Sequence, residues 1–181
     1  MRRFLLASSC LTLLAFANHP TNSFAACSST ALGAGETATC TGVENTAITG
    51  NSGTQTVNAD ATAVLNGSIS LGDDVDQLNN LGQINGTIDL GSGNDVVDND
   101  GTISSTLTTA DGDDSIDNSG TIEGTINLGT STISDNLNNR TSGGTAVIGT
   151  VGNTSDIILG SAGTQNIGNY GTIYGGINLG N

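Results

Sequence analysis

Three glycines, Gly82, Gly101 and Gly120, each open a Gly-x-Ile step, and they stand 19 residues apart. The first leads into Gln83-Ile84-Asn85-Gly86-Thr87-Ile88-Asp89-Leu90-Gly91, the third into Thr121-Ile122-Glu123-Gly124-Thr125-Ile126-Asn127-Leu128-Gly129. One period earlier lie Leu65, Gly67, Ile69, Leu71 and Gly72, and the run returns as Gly171-Thr172-Ile173 with Gly175, Ile177 and Leu179. A unit this short cannot bury its apolar face alone. It has to stack on copies of itself, which narrows the choice to a solenoid.

Inside a unit, Ile84, Ile88 and Leu90 alternate with Gln83, Asn85, Thr87 and Asp89. A period of two marks a strand with one buried face. Gly86 falls on the buried side, where a missing side chain permits a bend or a close backbone approach. Gly91-Ser92-Gly93-Asn94 is a turn by composition, and a second short strand follows over residues 95–99 with shifted parity. Two or three short strands per unit make one lap, each pairing with its copy about 4.8 Å further along the axis. Equivalent residues then fall into files: Ile84, Ile103 and Ile122; Ile88, Leu107 and Ile126; Leu78, Val97 and Ile116. Asn80, Asn99 and Asn118 form a polar file of the same parity as the third, placed to bond amide to amide. The glycine and β-branched content excludes a helical repeat. The expected fold is all-β, a parallel β-solenoid with about 19 residues per coil.

Residues 1–25 read as a secretory signal. Arg2 and Arg3 precede an apolar run, Phe4–Phe16, too short for a stable membrane anchor, and Ser23-Phe24-Ala25 supplies small residues before a cut at Ala26. A lipoprotein cut before Cys27 is the alternative, to which Phe24-Ala25-Ala26 is a poor match. The remaining chain divides into an N-terminal cap with irregular first coils (26–62), regular repeats (63–138) and degenerate coils (139–181) that begin with an inserted loop and end mid-repeat. At 19 residues per lap this predicts about eight coils and an axis of about 39 Å. The mid-repeat ending reads as that of a fragment.

Without the signal, two cysteines remain, Cys27 and Cys40, an even pair that reads as a disulfide in an exported chain. Its place ahead of the repeats predicts a staple on the end of the stack, where strand edges are otherwise open. Arg140 is then the one cation against 17 carboxylates, a net charge of −16. Such a balance excludes nucleic acid and anionic lipid as partners.

Three turns carry an acidic pattern: Gly72-Asp73-Asp74-Val75-Asp76, Gly91-Ser92-Gly93-Asn94-Asp95 and Ala110-Asp111-Gly112-Asp113-Asp114. The second resembles the Gly-x-Gly-x-Asp core of the repeats-in-toxin family. That resemblance implies calcium held by Asp76, Asp95 and Asp114 along one edge of the stack, no other cofactor being expected. The competing reading is that Asp, Asn and Gly are default turn residues whose carboxylates splay apart in water. Catalysis has little to stand on. Outside the signal there is no histidine, so no Ser-His-Asp or Cys-His site can be built, and no enzyme is expected. Asp111, Asp113 and Asp114 are the one cluster that a carbohydrate-active β-helix would use.

The Asn-x-Gly-Thr-Ile steps at Asn99–Ile103, Asn118–Ile122 and Asn169–Ile173, with the Gly-x-Ile-x-Leu-Gly runs, resemble the passenger region of bacterial autotransporters. The resemblance implies a right-handed parallel β-helix, exported to the cell surface, outer membrane or medium, with a structural or adhesive role. It also implies host or neighbouring-cell surface molecules as partners, and a translocator barrel whose ten-residue amphipathic strands do not follow here. The alternatives are a calcium-stabilised secreted β-roll and a carbohydrate-active β-helix.

Overall fold

Alternation dictates which way each side chain faces, and the backbone follows it. The computed structural model describes residues 27–130, 134–141, 146–152, 156–160 and 163–180; the signal lies outside them. Each lap contributes three short strands, one to each of three seven-stranded parallel sheets. The first sheet is built from Thr37–Cys40, Thr56–Ala59, Gln77–Asn80, Val96–Asn99, Ser115–Asn118, Ser134–Asn139 and Thr164–Asn169. The second takes two-residue strands such as Gln83–Ile84 and Thr102–Ile103, and the third takes strands such as Ile69–Asp73 and Ile88–Ser92. The described residues thus hold seven laps where the length predicts about eight. The difference comes from longer laps near the C-terminal end.

In-register pairing makes the expected files real. Ile84, Ile103 and Ile122 stack through the second sheet, Ile88, Leu107 and Ile126 through the third, and Leu78, Val97 and Ile116 through the first. All nine are fully enclosed. Gly86 meets the expectation of close approach: a Cβ there would lie 2.0 Å from the carbonyl oxygen of Gly67 in the coil below. Along the first sheet, successive strands are 19, 21, 19, 19, 21 and 30 residues apart. The extra residues fall between the strands in the sequence. Two residues separate Asn118 from Thr121, seven separate the equivalent Asn139 from Val147, and the strands still pair in register.

The asparagine file runs through the core as a continuous amide ladder. Asn80 donates to Asn99, Asn99 to Asn118 and Asn118 to Asn139, each from Nδ2 to Oδ1 at 2.7 Å, and Asn139 donates to Asn169 at 2.8 Å. Towards the N-terminal end the file continues as Ala59 and Cys40, and Cys40 is bonded to Cys27. The sulfur that a lipid anchor on Cys27 would need is therefore in a disulfide. Beside it Glu44 occupies the file of Leu65 and Ile84, its carboxylate accepting from the N–H of Thr46 at 2.8 Å and of Cys27 at 3.4 Å. The Thr46 N–H foremost holds this carboxyl below its ordinary range, against the opposing effect of burial. Leu32 completes the closure of this end, its N–H bonded to the carbonyl of Thr49 at 2.7 Å.

Both the ladder and the staple can be checked by unfolding. Asn99→Ala strips a buried donor and a buried acceptor of their partners at about 1–3 kcal/mol each, so denaturant unfolding should show a loss of about 2–5 kcal/mol. A loss within experimental error contradicts the ladder. Reducing Cys27–Cys40 should lower stability by about 3 kcal/mol, and the unfolded, unreduced chain after signal removal should present no titratable thiol.

Candidate functional site

The aspartates of the acidic turns occupy the position just before each first-sheet strand. In Asp76-x-Leu78-x-Asn80, Asp95-x-Val97-x-Asn99 and Asp114-x-Ile116-x-Asn118, aspartate, apolar residue and asparagine share one parity. All three therefore turn inward. Asp76 and Asp95 are 0% exposed and Asp114 1%, so the carboxylates stack inside the solenoid and not along its wet edge. The structure adds Asp135, 1% exposed, as a fourth member. Sequence reasoning missed it because its turn is two residues longer, although Asp135-x-Leu137-x-Asn139 repeats the same pattern. Gln55 and Gln165 hold the flanking positions of the file.

What the carboxylates do there is visible atom by atom. The N–H at this corner precedes the sheet ladder and needs an acceptor, and the aspartate of the next coil supplies it. Oδ1 of Asp76 accepts from the Gln55 N–H at 2.6 Å, Oδ1 of Asp95 from Asp76 at 2.8 Å, Oδ1 of Asp114 from Asp95 at 2.9 Å and Oδ1 of Asp135 from Asp114 at 3.2 Å. The second oxygen is treated differently. Oδ2 of Asp76 and of Asp95 is enclosed with no hydrogen-bond partner, and so is Gln55 Oε1, whereas Asp114 has the buried Thr109 hydroxyl beside it as a donor. A buried polar atom left this way costs about 1–3 kcal/mol, and more if charged. Like charges one strand spacing apart would add repulsion of roughly 1 kcal/mol in water and about 3 kcal/mol at an effective dielectric constant of 20.

Burial accordingly pushes the Asp95 carboxyl up to about 7 and those of Asp76 and Asp114 up to about 6, with the amide bonds opposing and neighbouring carboxylates adding to the rise. Asp135 is raised too, burial again leading. Among the described residues no three His, Cys, Asp or Glu side chains converge as a ligand set for a metal ion.

The remaining turn acids face water, and two of them serve the backbone. Asp74 Oδ2 accepts from the Gly53 N–H at 3.0 Å, and Asp113 Oδ1 accepts from the Ser134 N–H at 2.6 Å. Of the cluster Asp111, Asp113 and Asp114, the first two are exposed and the third points into the core. On the outer face of the first sheet Arg140 pairs with Asp117.

The turn itself holds a test of this geometry. Gly72, Gly91 and Gly129 have φ of 117°, 90° and 77°, and Ala110 occupies the equivalent place at φ 58°. The left-handed conformation costs a residue with a Cβ roughly 1–2 kcal/mol, and glycine's freedom in the unfolded chain returns about half of that. Ala110→Gly should stabilise the protein by about 0.5–1 kcal/mol in thermal unfolding, whereas a loss of stability contradicts the turn. The chain matches no protein-family model, and no curated protein or solved structure matches it either.

Proposed function

We propose that this chain is an exported β-helical module of the autotransporter-passenger kind, with a structural or adhesive role at the cell surface or beyond it. The observation that carries this reading is a stack of three continuous parallel sheets closed at its N-terminal end by the Cys27–Cys40 disulfide. A disulfide in that position suits an oxidising compartment outside the cytoplasm. The stack is stiff along its axis because every strand is bonded to the next, and its outer faces repeat with the same period. Asn85 donates to Asn66 at 2.7 Å and Asn66 to Asn45 at 2.8 Å, forming an exposed amide ladder beside the buried one. A polar, acidic surface of this regularity supports a spacer or a contact face for host or neighbouring-cell molecules.

Fractionating the producing cells and probing intact ones with antibody and protease tests this role. The expected result is a processed chain beginning at Ala26, oxidised at Cys27–Cys40, on the surface or in the medium. An uncleaved, reduced chain confined to the cytoplasm contradicts it.

A further inference from the structure

Enclosed oxygens on one side of the core lack a donor, Oδ2 of Asp76 and of Asp95 and Gln55 Oε1, while the buried Thr109 hydroxyl is the one side-chain donor beside Asp114. The side-chain amide of Gln55 is turned to the carbonyls of Asn51 and Gly53, Gln165 serves Asp135, and among the described residues no cation reaches the file. The charged groups that act on the file are Asp74 on Asp76, Asp89 on Asp95, and Asp113 on Asp114 and Asp135, besides the members themselves. All carry the same sign. Arg140, the one cation among the described residues, is engaged with Asp117 on the outer face. Such a row cannot be left ionised without a positive partner, and the smallest partner that fits closed packing is a proton.

We propose that Asp76, Asp95 and Asp114 form a proton-binding file in the core, neutral in the folded chain, which tightens the solenoid in acid and loosens its acidic-turn edge as the protons leave. Protonation makes each Oδ2 a donor while Oδ1 keeps its amide bond to the neighbouring coil. Deprotonation restores three buried charges of one sign in one row, each balanced only by hydrogen bonds. The proposal is independent of where in or outside the cell the protein works.

The direction of the pH effect is fixed by linkage. These carboxyls titrate at about 6 to 7 in the folded chain, above the ordinary aspartate value near 3.9 in the unfolded one. Their contribution is complete below about pH 4 and is lost as pH rises through 6 to 7. Glu44 and Asp60, held below their ordinary range by hydrogen bonds, act oppositely and lose their contribution only in stronger acid. Asp98, raised by burial and by Asp100 and Asp117, works in the same direction as the file, so between pH 5 and pH 8 the raised aspartates set the sign of the slope.

The experiment follows thermal unfolding of the oxidised chain between pH 5 and pH 8, alongside the infrared carbonyl band that distinguishes a carboxylic acid from a carboxylate. The midpoint should fall by several degrees over that range, and the acid band should persist at pH 5 in the folded protein and shrink towards pH 8. Asp95→Asn, neutral at every pH, should flatten the slope and exceed the native chain's midpoint at pH 8. Should the variant fail to fold, the infrared band of the native chain decides alone. A flat midpoint with carboxylates only at pH 5 overturns the proposal. So does a midpoint at pH 8 raised by calcium and lowered again by chelator, which would place a metal ion in the file instead of protons.

Discussion

Hydrogen bonding between consecutive laps, strand on strand and in register, is the constraint from which the rest of this molecule follows. Once Val97 is paired with Leu78 below and Ile116 above, every residue of the lap has its neighbours assigned. An interior position is then a file, and whatever chemistry it carries is repeated along the axis. Apolar files gain from repetition because identical side chains pack at a constant spacing. Polar files gain only if each member can both give and take. Asparagine meets that condition, since one amide supplies a donor and an acceptor. Ionised aspartate does not, having acceptors alone.

Two polar files flank the apolar one in the first sheet, and they differ in this respect. The asparagine ladder is satisfied along its length, with Asn80, Asn99, Asn118 and Asn139 passing one hydrogen bond from coil to coil. Slipping the strands by one residue would place these amides against the outer face and expose the apolar file, so the ladder fixes register as well as adding stability. The aspartate file is half satisfied. Each Oδ1 caps an amide that the sheet cannot reach, and Oδ2 of Asp76 and of Asp95 is stranded. Register and capping are thus secured at the cost of a buried carboxyl in each of these laps. Corners, by contrast, are lightly constrained. Laps of 19, 21 and 30 residues coexist because an insertion between strands leaves the files untouched.

Much of this is legible in the residues themselves. Gly82, Gly101 and Gly120 set the period, Ile84 and Ile88 set the parity of two sheets, and Asn80 with its copies announces an internal ladder. The aspartates are harder to place, for a physical reason. Asp, Asn and Gly clustered between strands read as a solvated turn, and that composition obscures the parity tying Asp95 to Val97 and Asn99. Asp74, Asp111 and Asp113 do lie in the solvated turns and Asp73 is exposed at the end of its strand, while Asp76, Asp95 and Asp114 share the parity of the strands that follow them. Asp135 is hidden because a fixed step of 19 from Asp114 lands on residue 133, two short of the true copy. Lap lengths are set by corner loops, and loop length leaves no periodic trace in the sequence.

Every feature of the molecule depends on like residues lying above like in parallel strands. Interstrand contacts in an isotope-labelled sample, measured by nuclear magnetic resonance, test this most directly. They should connect the backbone of Val97 with that of Leu78 and Ile116, and Ile103 with Ile84 and Ile122, always in the same chain direction. Contacts that pair these residues in opposing directions, or that scatter the isoleucines among unrelated positions, would contradict the stack and everything built on it.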